Sequence, residues 1–209
     1  MKNHTCKMFL VLSVFAAALF LPHTVFCAGF PQPTVEYSAD RVIAGDGGKE
    51  HVYKIYSAPG KERMETKEGS GGAMIITRMD KKLVWTLMPS QKMYMETKFS
   101  GQGASRQKQA GFDQEKCDVR QTEKGKEDVN GFPTRKMELA ISCPGEEKYT
   151  GFVWLTKENI AMRMETSKAG KKETTRLELK NLKIGKQDPA LFEVPAGYKS
   201  LAMPIMPKQ

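Results

Sequence analysis

Residues able to do chemistry are few. Beyond residue 28 the chain holds one histidine, His51, and two cysteines, Cys117 and Cys143. A Ser-His-Asp or Cys-His arrangement would have to run through that single imidazole. Yet His51 sits in the alternating run 50–57, where a plain strand side chain is the simpler reading. No G-x-S-x-G elbow, phosphate loop, dinucleotide fingerprint, H-E-x-x-H or calcium loop occurs. Carboxylates are plentiful but alternate with basic and apolar residues along expected strands, and spacing alone leaves a glycosidase-like pair open. The expectation is a protein that is not an enzyme and uses no cofactor or metal. The cysteines lack C-x-x-C spacing and companion ligands, which disfavours a redox or metal-binding pair. They lie almost symmetrically about Asn130-Gly131, so a hairpin turning there brings them opposite each other to within about one residue, favouring a Cys117 to Cys143 disulfide. Closing that loop would add about 3.5 kcal/mol by the chain-entropy argument, as an upper figure.

Methionine is the other conspicuous residue type. Met64, Met74, Met79, Met88, Met93, Met95, Met137, Met162 and Met164 all fall in or at the ends of expected strands. Their flexible thioethers suit a surface that adapts to variable apolar shapes; a filled core is the competing reading. One methionine-bearing stretch recurs. Residues 84–97 and 153–166 align over 14 positions with Val, Trp, both Met, Glu and Thr identical. Each reads as a hairpin in which a Trp-containing strand meets a polar breaker and then a strand alternating Met with polar residues. On that alternation Trp85, Leu87, Met93 and Met95 share one face of the first hairpin, and Trp154, Met162 and Met164 share one face of the second. These seven are the candidate lining of an apolar cavity.

The elements that must position them are almost all strands. Eleven are expected, at 34–44, 49–57, 61–68, 73–79, 82–88, 91–98, 116–124, 132–143, 147–156, 160–168 and 171–184. Between them lie turn residues such as Ala58-Pro59-Gly60, Asn130-Gly131 and Ala169-Gly170. Links this short imply antiparallel neighbours. Two stretches break the rhythm. Residues 100–114 have room for a short helix at 104–110 and read either as a surface loop or as a lid. Asp188-Pro189-Ala190-Leu191-Phe192 has the cap and proline of a single helical turn.

Residues 1–28 have the layout of a secretory signal peptide: Lys2 and Lys7, an apolar run, then small residues around Cys27-Ala28. Lipidation of Cys27 is the rival reading. Residues 29–202 then form one domain and 203–209 a tail. The leader carries two lysines and no acid, so the formal charge of +9 becomes +7. An exported chain of this charge meets anionic head groups rather than nucleic acid, with peripheral membrane contact as one consequence.

A family resemblance gathers these features. The leader, eleven antiparallel strands, the V-W-x-L…M-Y-M hairpin and the closing N-L-K-I-G-K-Q-D-P-A-L-F-E-V-P-A-G-Y together resemble the periplasmic lipoprotein-carrier superfamily, LolA-like and LolB-like. Within it the chain is most similar to uncharacterised outer-membrane lipoprotein-sorting-type domains. The resemblance implies a mostly β fold, a single antiparallel curled sheet forming an incomplete β-barrel, with one or two short helices. It also implies a Gram-negative periplasmic location, and lipid or lipoprotein acyl chains as ligand, with outer- or inner-membrane lipoproteins as partners. The carriers' functional cavity arginine has no counterpart in the pattern; Arg78 and Arg163 are the arginines nearest the Met-rich strands. An envelope sensor or assembly factor that binds protein partners is the alternative function.

Overall fold

The computed structural model describes residues 26–27, 31–45, 49–66, 72–98, 117–142, 148–171 and 173–201. Segment 100–114, the tail 203–209, Cys143 and all of the expected leader but Phe26–Cys27 lie outside them. Strands run β1 (Phe26–Cys27), β2 (Tyr37–Ala44), β3 (Glu50–Ala58), β4 (Lys61–Thr66), β5 (Met74–Arg78), β6 (Leu83–Met88), β7 (Met93–Lys98), β8 (Asp118–Val129), β9 (Phe132–Ser142), β10 (Tyr149–Leu155), β11 (Ala161–Lys168), β12 (Thr174–Ile184) and β13 (Lys199–Ser200). Each of the eleven expected strands has its counterpart in β2 to β12. The Asp188 turn is a 3-10 turn over Pro189–Phe192, and the Asp188 side chain accepts a hydrogen bond from the Ala190 amide.

All thirteen strands form one sheet, in the order β1-β8-β9-β10-β11-β12-β2-β3-β4-β5-β6-β7-β13. Two strands beyond the eleven expected stand at its margins. The short strand β13 pairs with β7 in parallel, and β1, drawn from the stretch assigned to the leader, pairs with β8. The sheet stays open. Strands β2 to β7 form one meander and β8 to β12 another, and the two join where β12 pairs with β2.

Local chemistry sets the register. At the β8–β9 turn Asn130 and Gly131 have φ of 51° and 81°, the left-handed pair that a two-residue type I′ hairpin demands. Further out, the register slips by one residue between Glu123 and Gly125, where Gly125 takes φ 133°. That bulge moves the pairing so that Asp118 faces Ser142. Cys117, the next residue outward, is disulfide-bonded.

Register also separates two faces. The first carries Tyr56, Arg63, Ile76, Trp85, Arg163 and Trp154; the second carries Ala39, Ile55, Met64, Ile75, Leu179 and Val153. Ala39, Ile55 and Val153 are fully buried, so the second face supplies much of the core.

Candidate functional site

The seven candidate lining residues do not converge on one space. Trp85 stands opposite Glu96, and Thr86 opposite Met95, so Met93 and Met95 lie on the second face while Trp85 and Leu87 lie on the first. The cause is the length of the connection. Met88 pairs with Met93 across four residues, so an odd-numbered residue of β6 faces an even-numbered residue of β7; one residue more or fewer would flip the whole strand. The second hairpin departs in the same way, with Trp154 opposite Arg163 and Val153 opposite Met164. Met162 falls at the irregularity between Trp154 and Leu155 and packs with Trp154 in the main core cluster. Trp85 and Leu87 belong to a separate cluster with Ile76 and Leu83.

The two tryptophans nevertheless share a chemical environment. The Trp85 indole N–H donates to Glu96 Oε2 at 3.0 Å, and its ring lies 5.9 Å from the Arg78 guanidinium and 5.4 Å from Lys81 Nζ. The Trp154 N–H donates to Glu127 Oε2 at 2.8 Å, beneath Lys136 at 4.9 Å and Arg163 at 5.3 Å. The Trp154 hydrogen bond, helped by Lys136, holds the Glu127 carboxyl below its ordinary value. A buried indole needs such an acceptor, and cations over its faces add to the attraction. This placement makes the tryptophans packing residues of the first face.

A strap formed by residues 188–201 lies on the same face over β4 to β7. Phe192 is 2% exposed, and Val194 and Tyr198 pack on the Trp85 cluster. Two buried arginines hold the strap by its backbone: Arg63 Nη1 donates to Leu191 O at 3.1 Å and Arg78 Nη1 to Phe192 O at 3.0 Å. Arg78 also grips Asp80 with two bonds of 2.8 and 2.7 Å and pairs with Glu193. The Asp80 carboxyl is held low chiefly by its hydrogen bonds from Arg78. At Glu193 burial pushes the carboxyl up, and Arg78 and Lys81 together outweigh it. The strap ends with Lys199 and Leu201 amides on the Lys92 and Tyr94 carbonyls.

The second face has its own arginine, which the sequence reading missed. Arg41 meets Glu62 in a two-bonded pair at 3.1 and 2.9 Å, both side chains buried, beside Met64. Burial opposes the Arg41 charge, and Glu62 more than restores it. The signal was present: Arg41 shares the spacing of Ala39, a fully buried second-face position of β2. A groove of about 480 Å³ opens on the first face over β8 to β12, lined by residues that include Phe152, Glu138, Glu165 and Thr150. Among the described residues no group of three or more His, Cys, Asp or Glu is placed to hold a metal ion.

A family model described as "Domain of unknown function (DUF4412)" matches residues 43–163, more than half of the chain. The chain belongs to the DUF4412 family. No curated protein matches the sequence of this DUF4412 protein. Its fold is shared by an uncharacterized conserved protein from Thermus thermophilus, at 14% identity and a TM-score of 0.52, over 80% of this chain and 90% of that one. A chain of the Pseudomonas aeruginosa MucA/MucB complex matches at 13% identity and a TM-score of 0.48, over 78% and 57%. A LolA superfamily protein from Nitrosomonas europaea, of the superfamily that the sequence resembles, matches at 15% identity and a TM-score of 0.38, over 79% and 92%. In the DUF4412 protein the matched segment runs from within β2 to within β11, so it includes the first Trp-Met hairpin, ends one residue before Met164 of the second and stops short of the strap.

Proposed function

We propose that this DUF4412 protein is a non-catalytic periplasmic protein that binds acyl chains of lipids or lipoproteins along the second face of its open sheet. One row of side chains carries the reading. Ala39, Ile55, Met64, Ile75, Thr86 and Met95 stand opposite one another from β2 to β7. The row begins fully buried at Ala39 and Ile55 and ends half-buried at Ile75, Thr86 and Met95. Ala39, Ile55 and Met64 are packed within the main core cluster, so the part of the row open to an acyl chain runs from Ile75 to Met95, two inter-strand spacings or about 10 Å. Met88 and Met93 pair on the same face and widen its half-buried end. Methionine there adapts to chains of different shape, and about eight methylenes moved from water would contribute about 6 kcal/mol before association costs. The basic surplus of the chain favours anionic head groups, and the leader-like first 28 residues support export.

The test is native mass spectrometry of protein released gently from the periplasm, with Met95→Lys in parallel. The reading requires a stoichiometric lipid adduct on the native protein that falls away in the variant. A clean apo mass sinks it and favours the second reading, an envelope sensor or assembly factor that binds a protein partner. That alternative rests on the β7 edge, which already receives an extended segment of its own chain, β13.

A further inference from the structure

We infer that the first face carries a second and separate binding site, a trough for a neutral oligosaccharide. The groove over β8 to β12 is built from two rows of side chains running across the strands. One row, Arg120, Ala140, Thr150, Ser167 and Thr174, is small at its centre and forms the floor. The adjacent row, Thr122, Glu138, Phe152 and Glu165, is taller and forms a wall. Strands β10 and β11 approach so closely here that a Cβ on Gly151 would sit 1.9 Å from the Glu165 carbonyl oxygen. The resulting groove of about 480 Å³ falls in the usual range for small-ligand sites.

Its chemistry selects among ligands. Both carboxylates already have cations: Glu138 meets Lys124 at 2.8 Å and Glu165 meets Arg176 at 3.8 Å. Arg120 is likewise paired with Asp118 at 3.0 Å. A phosphate would therefore face two carboxylates, and a polyamine would have to displace a lysine and an arginine. An extended peptide gains affinity from unpaired backbone at a sheet edge, but the central floor strands β9, β10 and β11 are paired on both sides. What the trough does offer is hydroxyl groups at Thr122, Thr150, Ser167 and Thr174, each both donor and acceptor. Carboxylates add further acceptors, and half-buried Phe152, with Lys136 Nζ 4.9 Å from its ring centroid, puts an aromatic ring at the centre of the wall. Hydroxyls, balanced carboxylates and one aromatic ring complement a sugar, whose hydroxyls need paired donors and acceptors and whose C–H face suits the electron-rich face of a ring.

The experiment is titration calorimetry with two trisaccharides, N-acetylglucosamine trimer and maltotriose, against inorganic phosphate, spermidine and tetra-alanine as comparison probes. Thr150→Arg fills the exposed floor, and Phe152→Leu removes the ring while keeping an apolar side chain; Ser167→Arg replaces Thr150→Arg should that variant not fold. Saturable binding of a trisaccharide is expected, weakened by about tenfold or more in the floor variant and in Phe152→Leu, with the melting temperature of the floor variant unchanged. The inference fails if neither trisaccharide binds, if the floor variant binds as the native protein does, or if only phosphate, spermidine or tetra-alanine binds. Acyl-chain binding on the opposite face should survive the floor variant.

Discussion

Replacing Arg78 with methionine should loosen the strap and cost about 2–4 kcal/mol, most of it at one backbone carbonyl. Arg78 is 4% exposed and makes four kinds of contact: paired bonds to Asp80, a bond to Phe192 O, pairing with Glu193 and a cation over the Trp85 ring. The Asp80 and Glu193 side chains are 39% and 50% exposed, so both carboxylates regain water when the guanidinium goes, and the loss there is small. The Phe192 carbonyl has no such recourse, because Phe192 is buried. An unsatisfied buried acceptor costs about 1–3 kcal/mol, and the lost cation over Trp85 adds about 0.5–1 kcal/mol. Methionine retains most of the packing volume, so little cavity cost is expected. Urea unfolding gives the global change, and hydrogen exchange at the Lys199 and Leu201 amides reports the strap directly. Equal stability within about 0.5 kcal/mol, with unchanged protection at both amides, would refute the assignment of Arg78 as the anchor.

Leu87→Ala should cost about 2–5 kcal/mol in urea unfolding, because Leu87 is fully buried among Ile76, Leu83 and Trp85 and does not line an empty space; a loss under about 1 kcal/mol would restore the cavity-wall reading. Gly151→Ala should be more damaging than an alanine at an ordinary strand glycine, since the new Cβ meets backbone of Glu165 at 1.9 Å; a melting temperature equal to that of the native protein would show that β10 and β11 can move apart. Acid should weaken the strap slightly. Asp80 and Glu193 are held below the ordinary carboxylate range, so their contribution is complete above about pH 5 and is lost as pH falls through their lowered values. Thermal unfolding at pH 7 and at descending acidic pH should show that loss, and Arg78→Met should lose less on acidification than the native protein.

Strand positions were legible because turn chemistry is local. Asn130-Gly131 specifies its own φ values, and Asp188-Pro189 specifies a capped turn, so both stood where the residues put them. Facing was not legible. Whether Met95 joins Trp85 or opposes it depends on the count of residues between Met88 and Met93, and on a left-handed Lys92 that nothing in its side chain announces. Pairings distant in sequence were equally hidden. Arg63 and Arg78 read as strand arginines, and their acceptors at Leu191 and Phe192 lie more than 100 residues away. The methionine signal was sound as a property of strands, but only Met88, Met93 and Met95 among the first hairpin's residues form the half-buried apolar end of the second face.

The pairing of β12 with β2, with Leu179 opposite Arg41, bears on how the molecule comes to be folded. Each meander is made of neighbours in sequence and can zip locally, but the seam between them joins residues from near opposite ends of the chain. Such distant contacts carry the loop-closure entropy of everything between, and they place β-rich domains among the slower folders. The seam should therefore form last, after β12 has been made and, for an exported chain, carried across the membrane. Until it closes, β2 and β12 both present unpaired edges. In crowded refolding the β12 of one molecule can find the β2 of another, so the yield of monomer should fall as protein concentration rises, with exchanged dimers as the first product.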